Sequence, residues 1–199
     1  MGRLGPQAKG ATRKHRTARA VEKGGINLAN GVLGVDAQNR LWVGDIAYIP
    51  TGEGRLHLAA VIDAWHRKTV GWAMGDRITG KPAMDALDRA VGRGNPPSDC
   101  PLVFHDDQGA QYTSRAFRRC LESHGIAQSM SRPGNPWDNA AAESFFKTLK
   151  RELMKEKSCA TGDDARQEVL RYIELYCNAR RVHSSLGYRA PSDLERAIA

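Results

Sequence analysis

Three acidic positions stand out because of the residues around them. Asp45 interrupts the apolar stretch LWVGDIAYI of residues 41–49, and an ionised group in the middle of a strand needs a compensating partner or a cleft. Asp106 and Asp107 directly follow another short apolar run, and Glu143 comes after three alanines in a helical pattern. Carboxylates that meet from separate elements repel one another unless divalent cations lie between them.

A cluster of carboxylate oxygens would bind hard cations such as Mg²⁺ or Mn²⁺. Two such ions held about 3.5–4 Å apart catalyse in-line phosphodiester displacement, one by activating the nucleophile and the other by stabilising the leaving oxygen. The alternative is an acidic turn that is merely solvated, because Asp is also a turn former. Whether the acids form a metal site or a solvated turn depends on the strands and helices that position them.

The hydrophobic patterns predict one α/β domain with a mixed sheet. Strands are predicted at residues 41–49, 55–65, 69–78, 101–105 and 126–130. Helices are predicted at residues 81–94 and 113–125, from Asp138 or Asn139 to about 157, at 161–180, and from about 192. The first three strands form an antiparallel meander, and helical crossovers lead to the two further strands.

The charge of the chain is concentrated near its beginning. The net charge is +8, and residues 1–25 carry seven basic residues against one acid, which accounts for +6 of that total. We expect residues 1–39 to form a flexible basic arm that suits a polyanion, nucleic acid first, although a solubilising tail has the same composition. No 18-residue apolar run or signal peptide is visible, so a cytoplasmic protein without a membrane segment is predicted.

The four cysteines lie far apart in the sequence. They form no CxxC pair, and no Cys/His spacing is that of a zinc finger. Free, buried or half-buried thiols are therefore predicted.

Basic side chains follow Glu143 along the long helix. Lys147 and Lys150 lie at i+4 and i+7, on the same face as the acid, and Arg151 is adjacent. These cations could hold a phosphate backbone beside the acids. The same pattern also fits an ordinary solvated helix face.

Several motifs together resemble the second-frame (OrfB) insertion-sequence transposases, whose DDE catalytic core is related to retroviral integrases. The acids lie in WVGDIAYIPT, HDDQGAQYTS and GNPWDNAAAESFFKTLKRE, and 35 residues separate Asp107 from Glu143, the spacing of that family. The segments VIDAWHRKTVGW and NARRVHSSLGYRAP match the same type in place and character. The resemblance runs from about Arg40 to Pro191.

The resemblance implies an RNase H-like fold and cutting and joining of element-end DNA with Mg²⁺ or Mn²⁺, as two ions. Asp45, Asp107 and Glu143 would be the catalytic metal ligands, in a core of residues 40–158 followed by a helical extension at 159–199. The chain departs from the family at Asp106, where a small hydroxyl residue is usual, and at Ala47, where Thr is usual.

Other residues of these motifs have two interpretations each. His105 could support the metal ligands or cap its strand, and Asn139 could do so or cap the long helix. Arg180 and Arg181 could contact DNA or pack the C-terminal segment. Trp137, in a Gly/Pro loop, is the best candidate for stacking on DNA.

The expected partners also follow from the resemblance. They are the DNA of the element ends and the target, further copies of the chain in an active multimer, and a first-frame helix-turn-helix protein or fusion. A bacterial, nucleoid-associated location is implied. Two alternatives stay open: a plain RNase H-like nuclease, and a non-catalytic DNA-binding or regulatory remnant of a transposase.

Overall fold

The computed structural model describes residues 35–96, 101–131, 139–153 and 159–197 of the 199-residue chain. Its strands are β1 (Leu41–Thr51), β2 (Gly54–Asp63), β3 (Thr69–Gly75), β4 (Val103–Asp106) and β5 (Ala127–Met130). Its α-helices are α1 (Lys81–Gly94), α2 (Arg115–Ser123), α3 (Ala140–Leu153), α4 (Gly162–Leu170) and α5 (Pro191–Arg196). A π-helical segment, Arg171–Cys177, continues α4, and a 3₁₀ turn spans Ser184–Leu186. None of the described helices is long and apolar enough to cross a membrane.

The five strands form one mixed sheet in the order β3-β2-β1-β4-β5. The pairs β1–β2 and β2–β3 are antiparallel, whereas β4 is parallel to both β1 and β5. The parallel pairs require crossovers, which α1 and α2 supply. The predicted meander with two further strands is therefore confirmed.

Helices cover both faces of the sheet, and β1 shows how the sequence assigns them. Trp42 packs in the core beneath α1 and α2, whereas the next residue, Val43, contacts Ala142 of α3 on the other face. Further along β1, Ile49 lies in the same layer as Phe146 and α4. Alternate strand residues thus supply the two cores, as the period of two requires.

The predicted helix 161–180 is divided in the structure. The Thr161 side chain caps α4 in a capping box with Asp164, as its sequence favours. From Arg171 the turns widen, and the Asn178 amide N–H donates to the Ile173 carbonyl, five residues earlier, at 2.9 Å. The wider turn brings Asn178 to the sheet. Its side chain accepts from the Thr69 N–H at 2.9 Å and donates to the Thr69 carbonyl at 3.0 Å.

The folded core includes one residue that we assigned to the basic arm. Asn39 is buried, its N–H donates to Oδ2 of Asp63 at 2.7 Å, and its side-chain amide donates to the Gly94 carbonyl at 2.9 Å. Asp63 is itself fully buried and accepts from the Trp42 indole at 3.3 Å. Residues 1–34 lie outside the described ranges.

Candidate active site

The strand register places two of the predicted acids side by side. On the parallel pair β1–β4, Val43 lies opposite His105. Two residues further along each chain come Asp45 and Asp107, and a step of two residues returns to the same face of the sheet. Asp107 directly follows the last residue of β4, at the carboxyl end of the strand.

Asp45 faces the layer of α3, because its neighbours Val43 and Ala47 on the same side of β1 both lie in cores that α3 helps to form. Its Oδ1 accepts the N–H of Ile46 at 2.7 Å. Burial, together with the nearby charges of Asp107 and Glu143, raises the pKa of the Asp45 carboxyl to about 6. Asp107 and Glu143 therefore both lie within electrostatic range of Asp45.

Helix α3 presents Glu143 to this cluster by burying its other side. Ala142, Phe146 and Leu149 are spaced at i, i+4 and i+7 and are buried against the sheet. Glu143 and Lys147 are one residue further along and are exposed. Glu143 also lies in the first turn of α3, where the helix dipole favours a negative charge.

A tight turn orients Asp107. Its Oδ1 accepts the N–H of Gly109 at 3.0 Å, and Gln108 between them adopts a left-handed backbone conformation, with φ of 63°. A Cβ at Gly109 would lie 3.0 Å from that same carboxylate oxygen. A glycine here lets the turn close against the acid.

Asp106 lies on the opposite face of the sheet from this cluster. It is fully buried, and both oxygens accept hydrogen bonds, Oδ1 from the Gln108 N–H at 3.0 Å and Oδ2 from the Gln128 amide at 2.8 Å. Burial raises its pKa to about 6. The unusual acid at this position therefore belongs to the packing beneath α2 and β5, and does not join the three-acid cluster.

The two residues expected to support the acids have different surroundings. His105 is fully buried between two hydroxyls, with Nδ1 2.8 Å from Oγ of Ser129 and Nε2 2.9 Å from Oγ of Ser131. Asn139 is buried, and its amide nitrogen lies 3.5 Å from the carbonyl of Gly44, the residue before Asp45. Its Oδ1 has no hydrogen-bond partner among the residues that the structure describes. Asn139 thus ties the start of α3 to β1 beside the acids.

The cations of α3 reach the cluster to different extents. Lys150 is close enough to lower the pKa of Asp45, and its ammonium lies 4.9 Å from the centre of the Tyr48 ring. Arg55 stacks on the same ring at 5.1 Å. Our sequence interpretation missed Tyr48, because a tyrosine in an alternating strand pattern is typical of an ordinary sheet residue. Its half-exposed position beside a basic helix is visible only in the structure.

The remaining predicted DNA contacts are more scattered. Arg151 is exposed and pairs with Glu152 at 3.2 Å, and Arg181 reaches the other oxygen of Glu152 at 3.5 Å. The Arg181 ion pair links the C-terminal segment to α3. Arg180 is exposed. Trp137 lies outside the described residues.

The three-acid cluster has the composition expected of a divalent-cation site. No Lys or Arg forms an ion pair with Asp45, Asp107 or Glu143 among the described residues. The hydrogen bonds to Asp45 and Asp107 each involve one oxygen of the carboxylate. Oxygen ligands select hard cations, and neighbouring like charges favour binding them. The three carboxylates do not, however, each place an oxygen within 4.8 Å of the other two, so a bound cation would have to draw them closer together.

A mixed sheet in this order, helices on both faces and acids from β1, the end of β4 and α3 define an RNase H-like core. Two models of the integrase core domain match the chain, at residues 35–136 and 124–191. The chain belongs to the integrase core domain family. The predicted resemblance to insertion-sequence transposases is confirmed by curated relatives.

One relative is the transposase for insertion sequence element IS904 of Lactococcus lactis subsp. lactis, 44% identical over 195 residues, which are 97% of this chain and 76% of that protein. Another is transposase InsF for insertion sequence IS3A of Escherichia coli, 40% identical over 85% of this chain. The chain covers 58% of the length of that second protein.

Solved structures share the fold at low sequence identity. The HTLV-2 integrase catalytic core domain in complex with magnesium matches with a TM-score of 0.55 and 17% identity, over 80% of this chain and 96% of that one. The catalytic domain of Mos1 mariner transposase matches with a TM-score of 0.57 and 16% identity, over 69% and 71%. These matches confirm the RNase H-like prediction.

Proposed function

We propose that this chain is the catalytic core of a DNA transposase, which hydrolyses a phosphodiester at the ends of an insertion element and joins the new end to target DNA. The observation that carries the proposal is the electrostatic coupling of Asp45 to Asp107 and Glu143, three acids that come from β1, the end of β4 and α3. The family assignment supports the class of chemistry, and the approach of the three acids supports our choice of site.

Asp45, Asp107 and Glu143 would hold the cations, which we infer to be Mg²⁺ or Mn²⁺, two per site. When bound, such ions polarise the scissile phosphodiester and lower the pKa of a coordinated nucleophile. The protein supplies the geometry: β1 and β4 fix two carboxylates by their register, and α3 brings the third. Glu143 is on the most exposed of these elements, so it can adjust as the DNA enters.

Lys147 and Lys150 would contact the phosphate backbone beside the acids. Lys150 is held by the Tyr48 ring, which positions the ammonium without neutralising it. Lys147 is exposed one turn after Glu143 and is free to follow the DNA. Arg151 and Arg180 extend the basic surface, while Trp137 and the basic arm are further candidates on sequence grounds.

We also retain the domain and partner predictions as proposals. Residues 40–158 would be the catalytic core and 159–199 a helical extension. The active form would be a homo-multimer, and end recognition would come from a helix-turn-helix partner or fusion, in the bacterial cytoplasm near the nucleoid. His105 would stabilise the end of β4 through its two serine contacts, and Asn139 the start of α3.

The proposal is tested with oligonucleotides that carry the ends of the element flanking the reading frame. The wild-type chain, supplied with Mg²⁺ or Mn²⁺, should nick these ends and produce joined strand-transfer products. Glu143→Gln should abolish both reactions while leaving DNA binding within about twofold, because one ligand is lost and the basic surface is kept. Glu122→Gln, an exposed acid of α2 on the other side of the sheet, is the matched control and should behave as wild type.

The products also discriminate between the alternatives. Hydrolysis without joined products would indicate a plain nuclease. DNA binding without either reaction, in a folded wild-type chain with its partner protein supplied, would indicate a non-catalytic remnant. Nicking that survives Glu143→Gln would show that the three acids are not the site.

A further inference from the structure

A second cluster of potential metal ligands lies on the other side of the sheet. Asp88 of α1 faces Cys120 and His124 at the carboxyl end of α2, and one ligand atom from each residue lies within 4.8 Å of the other two. Both helices cover the core layer beneath Trp42, whereas the three-acid site lies in the layer of α3. The two clusters are therefore separate.

The two measured distances from Asp88 are close to those of a tetrahedral zinc site, and the third pair of ligand atoms lies within 4.8 Å. Oδ1 of Asp88 lies 2.8 Å from Nε2 of His124 and 3.5 Å from Sγ of Cys120. Ordinary zinc–ligand bond lengths place tetrahedral oxygen–nitrogen and oxygen–sulfur pairs about 3.3 and about 3.5 Å apart. An opening of about half an ångström between Asp88 and His124 would bring both of these pairs to zinc-site distances.

The local structure favours this arrangement. Cys120 and His124 are four residues apart, so they lie above one another on a single helix face. Asp88 and His124 are exposed and Cys120 is half-exposed, which gives an ion a direct path from solvent. Without a cation the three groups form a hydrogen-bonded cluster, in which the carboxylate accepts from the thiol.

We propose that Asp88, Cys120 and His124 bind one Zn²⁺ ion that joins α1 to α2, with the fourth position open to water. Thiolate and imidazole ligands select zinc over magnesium, so this site would discriminate against the ion of the carboxylate cluster. The ion would join two helices that cover the same core, and its expected role is to stabilise the fold. It would take no part in phosphodiester chemistry.

The test uses Co²⁺ as a spectroscopic substitute for Zn²⁺, added to the full chain in a non-thiol reductant with excess Mg²⁺ present. The expected result is one equivalent of Co²⁺ with a thiolate charge-transfer band and visible bands typical of tetrahedral geometry. Zn²⁺ should displace it and raise the melting temperature. Cys120→Ser should remove the charge-transfer band and weaken Zn²⁺ binding by at least about tenfold.

Cys159→Ser is the control, because it removes a half-exposed thiol outside the cluster and should leave the bands intact. His124→Gln keeps the thiol and should weaken Zn²⁺ binding to a similar extent. It therefore tests the proposal if Cys120→Ser does not fold. Circular dichroism in EDTA reports folding of each variant. An absent thiolate band, or a band that folded Cys120→Ser or His124→Gln retains at full strength, would leave only a hydrogen-bonded cluster and overturn the proposal.

Discussion

Replacing Asp45 with Asn removes a half-buried negative charge while preserving the shape of the side chain. The Oδ1 atom can still accept the N–H of Ile46, and among the described residues no hydrogen bond to the other oxygen opposes an amide. In the metal-free protein the charge is unfavourable, because burial and the neighbouring Asp107 and Glu143 raise the pKa of Asp45 from 3.8 to about 6. The substitution should therefore stabilise the metal-free fold.

The size of the expected gain in folding free energy follows from the pKa shift of Asp45. A pKa raised from 3.8 to about 6 corresponds to about 3 kcal/mol at a pH above both values, at about 1.4 kcal/mol per unit. Partial exposure of the site lets water screen part of this, so we expect a gain of about 1–3 kcal/mol. In a chain of this size, that gain raises the melting temperature by roughly 2–10 °C.

The sign of the pH dependence is also determined. Because the folded protein binds the proton more tightly than the unfolded chain, the contribution of Asp45 to wild-type stability is lost as pH rises from about 4 to about 6. The advantage of Asp45→Asn should thus be greatest above pH 7 and should vanish near pH 4. Urea unfolding in EDTA at pH 4, 5, 6 and 7.5 measures it.

Mg²⁺ should stabilise the wild type more than Asp45→Asn. The wild type should gain stability with added Mg²⁺, because an ion that binds only the folded state stabilises it, and Asp45→Asn should respond weakly. If Asp45→Asn is no more stable than the wild type at pH 7.5 in EDTA, the carboxylate is not in the desolvated, acid-flanked position described above, and the reasoning fails.

Asp106→Asn is a matched control, because the pKa of Asp106 is also raised but its carboxylate makes different hydrogen bonds. Burial raises the pKa of Asp106 to about 6 as well, but both of its oxygens accept hydrogen bonds. An asparagine there must turn its NH₂ group towards either the Gln108 N–H or the Gln128 amide. The lost hydrogen bond then offsets the stability gained by removing the buried charge, so we expect no net stabilisation. We also expect no loss of the Mg²⁺ response.

Three further predictions concern packing, the C-terminal segment and DNA. Gly44→Ala should destabilise the fold by about 1–3 kcal/mol in thermal unfolding, because the new Cβ would lie 2.2 Å from Cζ of Phe104. Asn178→Ala should cost about 2–5 kcal/mol in urea unfolding, since both backbone groups of the buried Thr69 lose their partner. Lys147→Ala should weaken DNA binding and reduce the slope of log K against log salt by about 1, measured by fluorescence anisotropy.

Matched control variants separate the predicted effects on stability and DNA binding from nonspecific destabilisation of the fold. Gly92→Ala places a Cβ where no atom lies within 4 Å and should leave stability unchanged or raise it, so a loss equal to that of Gly44→Ala would contradict the steric explanation. Arg119→Ala removes an exposed cation of α2 and should leave the salt slope unchanged. An unchanged slope in Lys147→Ala would remove that residue from the proposed DNA surface.

Several features of this protein followed from local sequence pattern. The partial alternation in residues 41–49 predicts β1, and the helical spacing of Glu143, Lys147 and Lys150 predicts that they share one face of α3. The 35 residues between Asp107 and Glu143 indicated the family. These features depend on neighbouring residues and fixed spacings, which a sequence displays directly.

Other features were decided only by the tertiary structure. The β1–β4 register brings Asp45 towards Asp107 and turns Asp106 to the opposite core, and register depends on how two distant strands pair. The widened turn before Asn178 lets its side chain hydrogen-bond to Thr69, which is 109 residues away along the chain. The cluster of Asp88 with Cys120 and His124 arises because two helices pack side by side; the sequence displays only its Cys–His half, and long-range packing supplies the rest.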